Sequence, residues 1–308
     1  MKIWIAKAII QKAISFLPNK HKINYLFQRY VTKGVVLSDS LMEGKLGHCR
    51  DHLIYLKKYG NSKPGFSTLE IGTGWYPIVP FAFYLAGAEN IYTIDISDLL
   101  KTSAVHETIL KLRKWYDSGQ LETYLPGLQL ERFKKLETLL AMNIHPHKIL
   151  EEVGIHTILG DARNTPFSNG QFDLINSNNT FEHIPPEILL PILKEFKRVL
   201  KPDGLMSHSI DMSDHFAHLD KSITVYNFLQ FSDSEWNRID NSIQPQNRLR
   251  ITDYRKLYEQ AGFKILEEIN RPGSVEQLRK VKLDGKYSGY TEADVAVTHT
   301  LILAEKAG

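Results

Sequence analysis

The chain has 308 residues, with 38 basic and 35 acidic side chains, a net charge of +3 and 43% hydrophobic content. This balance suits a folded globular protein and gives nucleic acid no basic footprint to bind. The single cysteine, Cys49, excludes an internal disulfide and points to a reducing, cytoplasmic setting. No apolar run reaches the roughly 18 residues of a membrane span.

In chain order, residues 1–60 read as a helical extension. Residues 1–17 are rich in Ile and Ala and carry Lys2, Lys7 and Lys12. With no small-residue cleavage site, they read as a helix rather than a signal peptide. That helix either packs on the main domain or lies at a membrane surface with Trp4 and the lysines at headgroup level. Residues 18–22 form a link, and residues 61–65 are a break rich in turn residues. Residues 61–308 read as one domain with strands near 67–71, 91–95, 155–159 and 171–179 and a helix near 78–87. A further helix ends before Gly204, and a fifth strand runs 205–212. A helix over 252–261 and strands over 263–269 and 295–304 follow. Strands alternating with helices imply a parallel sheet with right-handed crossovers. Two stretches exceed what simple connections need. The one near 116–148 reads as extra helices of the kind that cover a cleft or mediate contacts. The other, near 213–248, carries Tyr226, Phe228, Phe231 and Trp236 beside Lys221, Arg238, Arg248 and Arg250. Such a cluster suits either a flat or anionic acceptor or a lid packed on its own aromatics.

The first strand ends in Glu70-Ile71-Gly72-Thr73-Gly74-Trp75-Tyr76-Pro77, and the second ends in Asp95, 23 residues after Gly72. This is a nucleoside-binding βαβ layout, in which glycines admit the ligand and the acid accepts from ribose hydroxyls. Pro77 stands at the third glycine position of a dinucleotide fingerprint, and Trp75 and Tyr76 would crowd a pyrophosphate. The pattern Glu70-x-Gly72-x-Gly74 instead resembles motif I of class I S-adenosylmethionine-dependent methyltransferases. Gly160-Asp161-Ala162, Gln171 to Asn179, Phe181-Glu182-His183-Ile184 and Leu193 to Gly204 resemble its later motifs in the same order, most closely the small-molecule, type 11 group. The resemblance implies a Rossmann-like, mostly parallel seven-stranded sheet with helices on both faces and an antiparallel C-terminal hairpin. It implies S-adenosylmethionine as cofactor, held by Glu70, Gly72, Gly74, Asp95, Asp161, Ala162 and Asn178. Glu70 would orient the methionine amino end, Asp95 the ribose, and Asp161 with the Ala162 backbone the adenine. Trp75 and Tyr76 depart from the small residues usual in motif I. They line the ligand or pack on the N-terminal helices.

The acceptor side is read from Asp211 to His218, directly after the fifth strand. A histidine titrating near neutrality can take a proton from a hydroxyl, so His215 is the candidate base, with Asp211 or Asp214 as its orienter. His183 is a second candidate. Asp211, Asp214, His215 and His218 could ligate a divalent cation only from a helical loop; the resemblance extends to quinone-type O-methyltransferases that hold a divalent cation in this region, which implies Glu182 and His183 as further ligands, and no metal is assigned. Residues 44–50 form a polar patch whose position stays open. The expected activity is methylation of a small hydroxylated or saccharide-like acceptor on oxygen. N- or C-methylation of an amphiphilic acceptor and an inactive cofactor-binding scaffold are the alternatives. No Asp/Asn-Pro-Pro-Tyr tetrad follows the fourth strand, which disfavours methylation of base amino groups.

Overall fold

The computed structural model describes residues 2–18, 20, 23, 25–26, 35–60, 62–142 and 144–308. Asn19, His21 and Lys22 of the expected link and Asn61 of the expected break lie outside them. Seven strands form one sheet: β1 (Ser67–Ile71), β2 (Asn90–Asp95), β3 (Ile155–Leu159), β4 (Phe172–Asn178), β5 (Leu200–Asp211), β6 (Phe263–Arg271) and β7 (His299–Lys306). Their order is β3-β2-β1-β4-β5-β7-β6. The first five strands are parallel, and β7 runs antiparallel between β5 and β6. This is the doubly wound sheet with an antiparallel ending that the pattern implies. Strand order reverses between β1 and β4, and in open α/β sheets ligands bind beyond the carboxyl ends of strands at such a switch point. Every residue of β1 and β4 is buried, as strands covered on both faces must be. Asp173 clips the two together: its carboxylate accepts from the Ser67 backbone N–H and hydroxyl at 2.8 Å and from Lys201 at 2.7 Å.

Helices cover both faces. On one lie α2 (Asp39–Tyr59), α3 (Ile78–Leu85), α4 (Thr102–Asp117), α5 (Gln120–Tyr124), α6 (Leu130–Ala141) and α7 (Pro146–Glu152). They bury Met42, Leu46, Phe81, Leu112, Phe133 and Ile149 in one cluster. On the other face α8 (Pro186–Val199) and α10 (Ile251–Gln260) bury Leu193, Phe196, Tyr254 and Tyr258 with Leu69 and Ile175. Thus α2, read as part of an extension outside the domain, is a cover of the sheet itself. Its Met42, Leu46, Cys49 and Leu56 fall at helical spacing on the buried side.

Three boundaries differ from the sequence reading. The expected strand from Val295 is helix α12 (Glu292–Ala296), because Thr291 caps it by accepting from the Asp294 N–H, and β7 starts at His299. The fifth strand begins at Leu200 rather than Leu205, with an irregularity opposite Phe172 and Leu174. The third helix stops at Leu85, since Gly87 has φ +103°. The stretch near 116–148 is α5, α6 and the start of α7, and it packs Leu121, Leu125, Phe133 and Leu136 into the first core cluster. The stretch thickens the core, and the described residues of 116–148 supply none of the cavity wall described below.

A third, smaller cluster joins α1 (Ile3–Ser15), residues 213–239 with α9 (Asp233–Ile239), and residues 275–296 with α11 (Val275–Arg279). Trp4 packs on Phe216 and Phe231 with ring centres 5.8 and 6.0 Å apart, and its backbone N–H donates to Asp220 at 3.1 Å. Lys12 donates to the carbonyls of Asn237 and Asp240, and Lys7 lies over Phe216. So Trp4, Lys7 and Lys12 face the protein, and the outward face of α1 carries Ile3, Ile9 and Ile10. The aromatics of residues 226–236 are the core of this cluster. Arg248 donates to the carbonyls of Phe228 and Phe231, and Arg250, fully buried, donates to those of Met212, Val295 and Val297. Arg248 ties the backbone of the 213–248 stretch, Arg250 ties the end of β5 to residues 295–297, and none of these aromatics reaches the cavity wall. No helix among the described residues is long and apolar enough to cross a membrane.

Candidate active site

A cavity of about 660 Å³ opens beyond the carboxyl ends of β1, β2 and β4. Its wall includes all seven residues expected to hold the cofactor: Glu70, Gly72, Gly74, Asp95, Asp161, Ala162 and Asn178. The turn after β1 is built for close approach. Gly72 and Gly74 have φ of +88° and +66°, where only glycine is unstrained. A Cβ on Gly72 would stand 2.3 Å from Thr180 Oγ1, whereas one on Gly74 would meet nothing within 4 Å. Asp95 holds this turn by accepting from Gly74 N–H at 3.3 Å, and it accepts from Ser97 N–H at 2.9 Å. Burial raises its pKa and these backbone donors pull it back. Trp75 and Tyr76 do both things open to them. They line the cavity, and they touch the N-terminal region, Trp75 through Tyr25 at 4.9 Å and Tyr76 through the Val35 carbonyl at 3.2 Å.

Glu70 is buried at the end of β1. Its Oε1 accepts from Asn178 Nδ2 at 3.0 Å, and its Oε2 has no partner. Burial pushes its pKa up to about 7, against the pull of Lys45 and Asn178. Asn178 is itself fixed by His52, whose Nε2 lies 3.1 Å from Asn178 Oδ1 and whose Nδ1 lies 2.6 Å from Ser207 Oγ. Since Asn178 Oδ1 can only accept, His52 donates from Nε2 and accepts the Ser207 hydroxyl at Nδ1. Lys45 donates to the Asn178 carbonyl at 2.8 Å, and among the described residues it is the one Lys or Arg on the cavity wall. Burial lowers its pKa, and the charges of Glu70 and Glu182 raise it. Lys45 belongs to the polar patch of residues 44–50 whose position the sequence left open, and His52 escaped the sequence reading, although a signal existed for both. Positions 42, 45, 49, 52 and 56 follow helical spacing, so a lysine and a histidine occupy the stripe that Met42, Cys49 and Leu56 bury. Asn179, at φ 56° the one non-glycine residue with positive φ among the described residues, also lines the cavity. Asp161 is on the wall too, but its carboxylate is held by Arg163 at 2.5–3.0 Å, and that contact lowers its pKa.

The other end of the cavity is formed by His183, Ile184, Pro185, Ile188, Ile192 and residues 242–245. His183 sits on a 3₁₀ turn (Phe181–His183), not on the helix after β4, because Pro185 and Pro186 delay α8. Its Nδ1 lies 2.6 Å from the Pro245 carbonyl, which accepts only, so Nδ1 carries the hydrogen and Nε2 the lone pair. Behind it stands His215, with ring centres 5.1 Å apart. Asp211 lies 3.4 Å from Nε2 of both His215 and His299. Burial would raise the Asp211 pKa, but these histidines outweigh it and hold the carboxyl well below its usual range. Asp214, the alternative orienter, turns away: it caps the turn His215–His218 by accepting from Phe216 N–H and accepts from Asn227. His215 and Asp211 are therefore close to His183 but not on the cavity wall. Glu182, between them, is 1% exposed, and neither carboxylate oxygen has a hydrogen bond.

The sheet order, the glycine turn after β1 and the acid closing β2 have the pattern of class I S-adenosylmethionine-dependent methyltransferases. The residues fit that cofactor: Glu70 offers an unpaired buried oxygen, the Gly74 backbone lies open, and Asp95 closes β2. A methyltransferase-domain family profile matches residues 126–207, from just before α6 through β3, β4 and α8 into β5. No curated protein sequence matches the chain. Similar solved structures include an S-adenosylmethionine-dependent methyltransferase of Clostridium acetobutylicum, 12% identical over 94% of this chain and 100% of that one, with a TM-score of 0.48. The 1,6-didemethyltoxoflavin-N1-methyltransferase of Burkholderia thailandensis, solved with S-adenosylhomocysteine, is 12% identical over 92% and 86%, with a TM-score of 0.47. The geranyl diphosphate C-methyltransferase of Streptomyces coelicolor is 12% identical over 83% and 80%, with a TM-score of 0.45.

Proposed function

We propose that the enzyme methylates an oxygen of a small hydroxylated or saccharide-like acceptor. The observation that carries this reading is that one cavity has a carboxylate-and-glycine end, at Glu70 to Asp95, and a histidine end, at His183. When bound, S-adenosylmethionine supplies an electrophilic methyl group on a sulfonium. Glu70 and Lys45, opposite charges on one wall, match the ammonium and carboxylate of its amino-acid end. Asp95 accepts from the ribose hydroxyls, and the Ala162 backbone with Asp161 meets the adenine, Asp161 after yielding some of its contact with Arg163. His183, with His215 and Asp211 behind it, forms the polar end at which the acceptor hydroxyl gives up its proton, with the acceptor held in place against the methyl donor. The apolar stretch Ile184, Ile188 and Ile192 beside His183 favours a second reading, N- or C-methylation of an amphiphilic acceptor. Any peripheral membrane contact by residues 1–17 falls to Ile3, Ile9 and Ile10, since Trp4 is committed to the protein. The deciding experiment is mass spectrometry of products formed from a metabolite extract and a methyl-labelled cofactor. A labelled methyl ether supports the proposal. A labelled amine or carbon centre selects the second reading, and no labelled product leaves a cofactor-binding scaffold.

A further inference from the structure

We infer that the outward face of α1 docks on the surface of a bilayer that contains anionic phospholipid. Ile3, Ile10 and Leu17 recur there every seven positions, with Ile9 and Phe16 beside them, and all five are exposed. Ala6 and Ala13 fill the positions between, so no charge interrupts the stripe. Sixteen large apolar side chains are exposed among the described residues, and five of them fall in this stretch of fifteen positions. They form a patch, unlike the single apolar side chains that any surface scatters. The opposite side of the helix is committed. Trp4, Ala8, Gln11 and Ile14 are buried on the protein, and Lys12 donates to the carbonyls of Asn237 and Asp240. The helix cannot roll its isoleucines inward without giving up these contacts.

Charge selects the partner. Residues 1–38 carry seven Lys and Arg side chains and no Asp or Glu, whereas residues 39–308 carry 31 and 35. The positive charge of the chain is thus gathered in the segment that holds the patch. Lys2 and Lys20 flank the patch at its two ends, where their stems can lie along apolar surface while the ammonium groups reach headgroups. An anionic leaflet attracts such a segment. A second copy of the chain would present the same positive segment and be repelled. The patch also lies beside the acceptor end of the cavity. Gln11 donates to Gln244 Oε1 at 3.4 Å and Lys20 to Ser242 Oγ at 3.0 Å, and both partners line the cavity. One helix diameter, about 10 Å, therefore separates the docked bilayer from that wall. Docking stands on the helix alone, whereas delivery of an amphiphilic acceptor from the bilayer rests on the second reading of the function proposed above.

The test floats the full chain with vesicles of phosphatidylcholine containing roughly 30% phosphatidylglycerol, and with vesicles of phosphatidylcholine alone. Binding to the mixed vesicles at low salt should be about tenfold or more tighter than to the neutral ones, and about 0.5 M salt should remove most of that difference. Ile3→Glu combined with Ile10→Glu should weaken binding about 100-fold, while S-adenosylhomocysteine affinity stays within about threefold of the parent, as expected for exposed positions. Ile3→Leu combined with Ile10→Leu should bind like the parent. No flotation of the parent chain at low salt, a measurement that needs no variant, overturns the inference. So do equal flotation on the neutral vesicles and unchanged flotation of the Ile3→Glu, Ile10→Glu chain. A dimer seen in sedimentation and abolished by the same two substitutions overturns it as well, because the face then belongs to a second copy. A chain that floats as expected but yields only a water-soluble methyl ether supports docking and removes the delivery role, leaving the O-methylation proposal standing.

Discussion

Alanine at Gly72 and alanine at Gly74 should fail in different ways, although the two glycines are neighbours in one turn. Both have positive φ, +88° and +66°, where a Cβ costs about 1–2 kcal/mol. At Gly72 the added methyl would also lie 2.3 Å from Oγ1 and 2.8 Å from Cγ2 of Thr180. Threonine is stiff at χ1, so relief requires the turn after β4 to shift, at a cost of about 1–3 kcal/mol. Gly72→Ala should therefore destabilise by about 2–5 kcal/mol and Gly74→Ala by about 1–2 kcal/mol. The methyl at Gly74 meets no protein atom within 4 Å and projects at the cavity, so its main effect is on the cofactor. An affinity loss of at least tenfold, about 1.4 kcal/mol, is expected. Urea unfolding gives the first quantity and calorimetry with S-adenosylhomocysteine the second. Adding Thr180→Ala removes both clashing atoms and should restore the clash share of the Gly72→Ala loss, leaving the strain. The reasoning fails if Gly74→Ala is the less stable variant, if it binds S-adenosylhomocysteine like the parent, or if Thr180→Ala restores nothing.

Asp95→Ala should weaken S-adenosylhomocysteine binding by about 1.5–3 kcal/mol, as for hydrogen bonds to a charged group; binding of NAD in preference, measured by the same calorimetry, would refute the cofactor assignment. Lys45→Gln should weaken S-adenosylhomocysteine at least tenfold and leave decarboxylated S-adenosylmethionine, which lacks the carboxylate, little changed; equal losses would reassign Lys45. Glu70, raised to about 7, must be ionised to pair with an ammonium, so affinity should rise with pH between about 5.5 and 7 and then level off, a rise that Glu70→Gln abolishes. By linkage, the same group contributes stability at low pH that is lost as pH climbs through about 7, because the unfolded chain releases this proton earlier; the loss should be absent in Glu70→Gln unfolding curves. Trp4→Ala should cost about 3–5 kcal/mol in urea unfolding, the usual range for a buried Trp; a cost under about 1 kcal/mol, together with lost flotation on anionic vesicles, would return Trp4 to a membrane surface.

Much of the cofactor half was legible in the chain because it is local. A strand that ends in Glu70-x-Gly72-x-Gly74 and a second strand that ends in Asp95 put their ligands at fixed offsets along the backbone, and parallel pairing of β1 with β2 and β4 brings those ends together without further information. The buried runs 67–71 and 172–178 and the helices between them follow from period and punctuation. The short helix at Glu292–Ala296 reads as strand because its apolar end, Val295-Ala296-Val297, runs on toward the apolar residues of β7. The local signal of the Thr291 cap was present, and it was outweighed.

What the sequence by itself determined is therefore the fold class, the strand ends and the residues that line the cofactor end, all set by backbone conformation and hydrophobic period over short separations. What only the tertiary structure decided is which distant side chains meet there. Lys45 and His52 reach Asn178 from a helix more than 120 positions earlier. The aromatics of residues 226–236 close on Trp4 instead of on a ligand. His183, His215 and Glu182 converge from two loops that share no sequence spacing. Side-chain encounters across such separations depend on how twisted sheets and packed helices orient their loops, and on which buried charges find partners, and neither is encoded in any single stretch of chain.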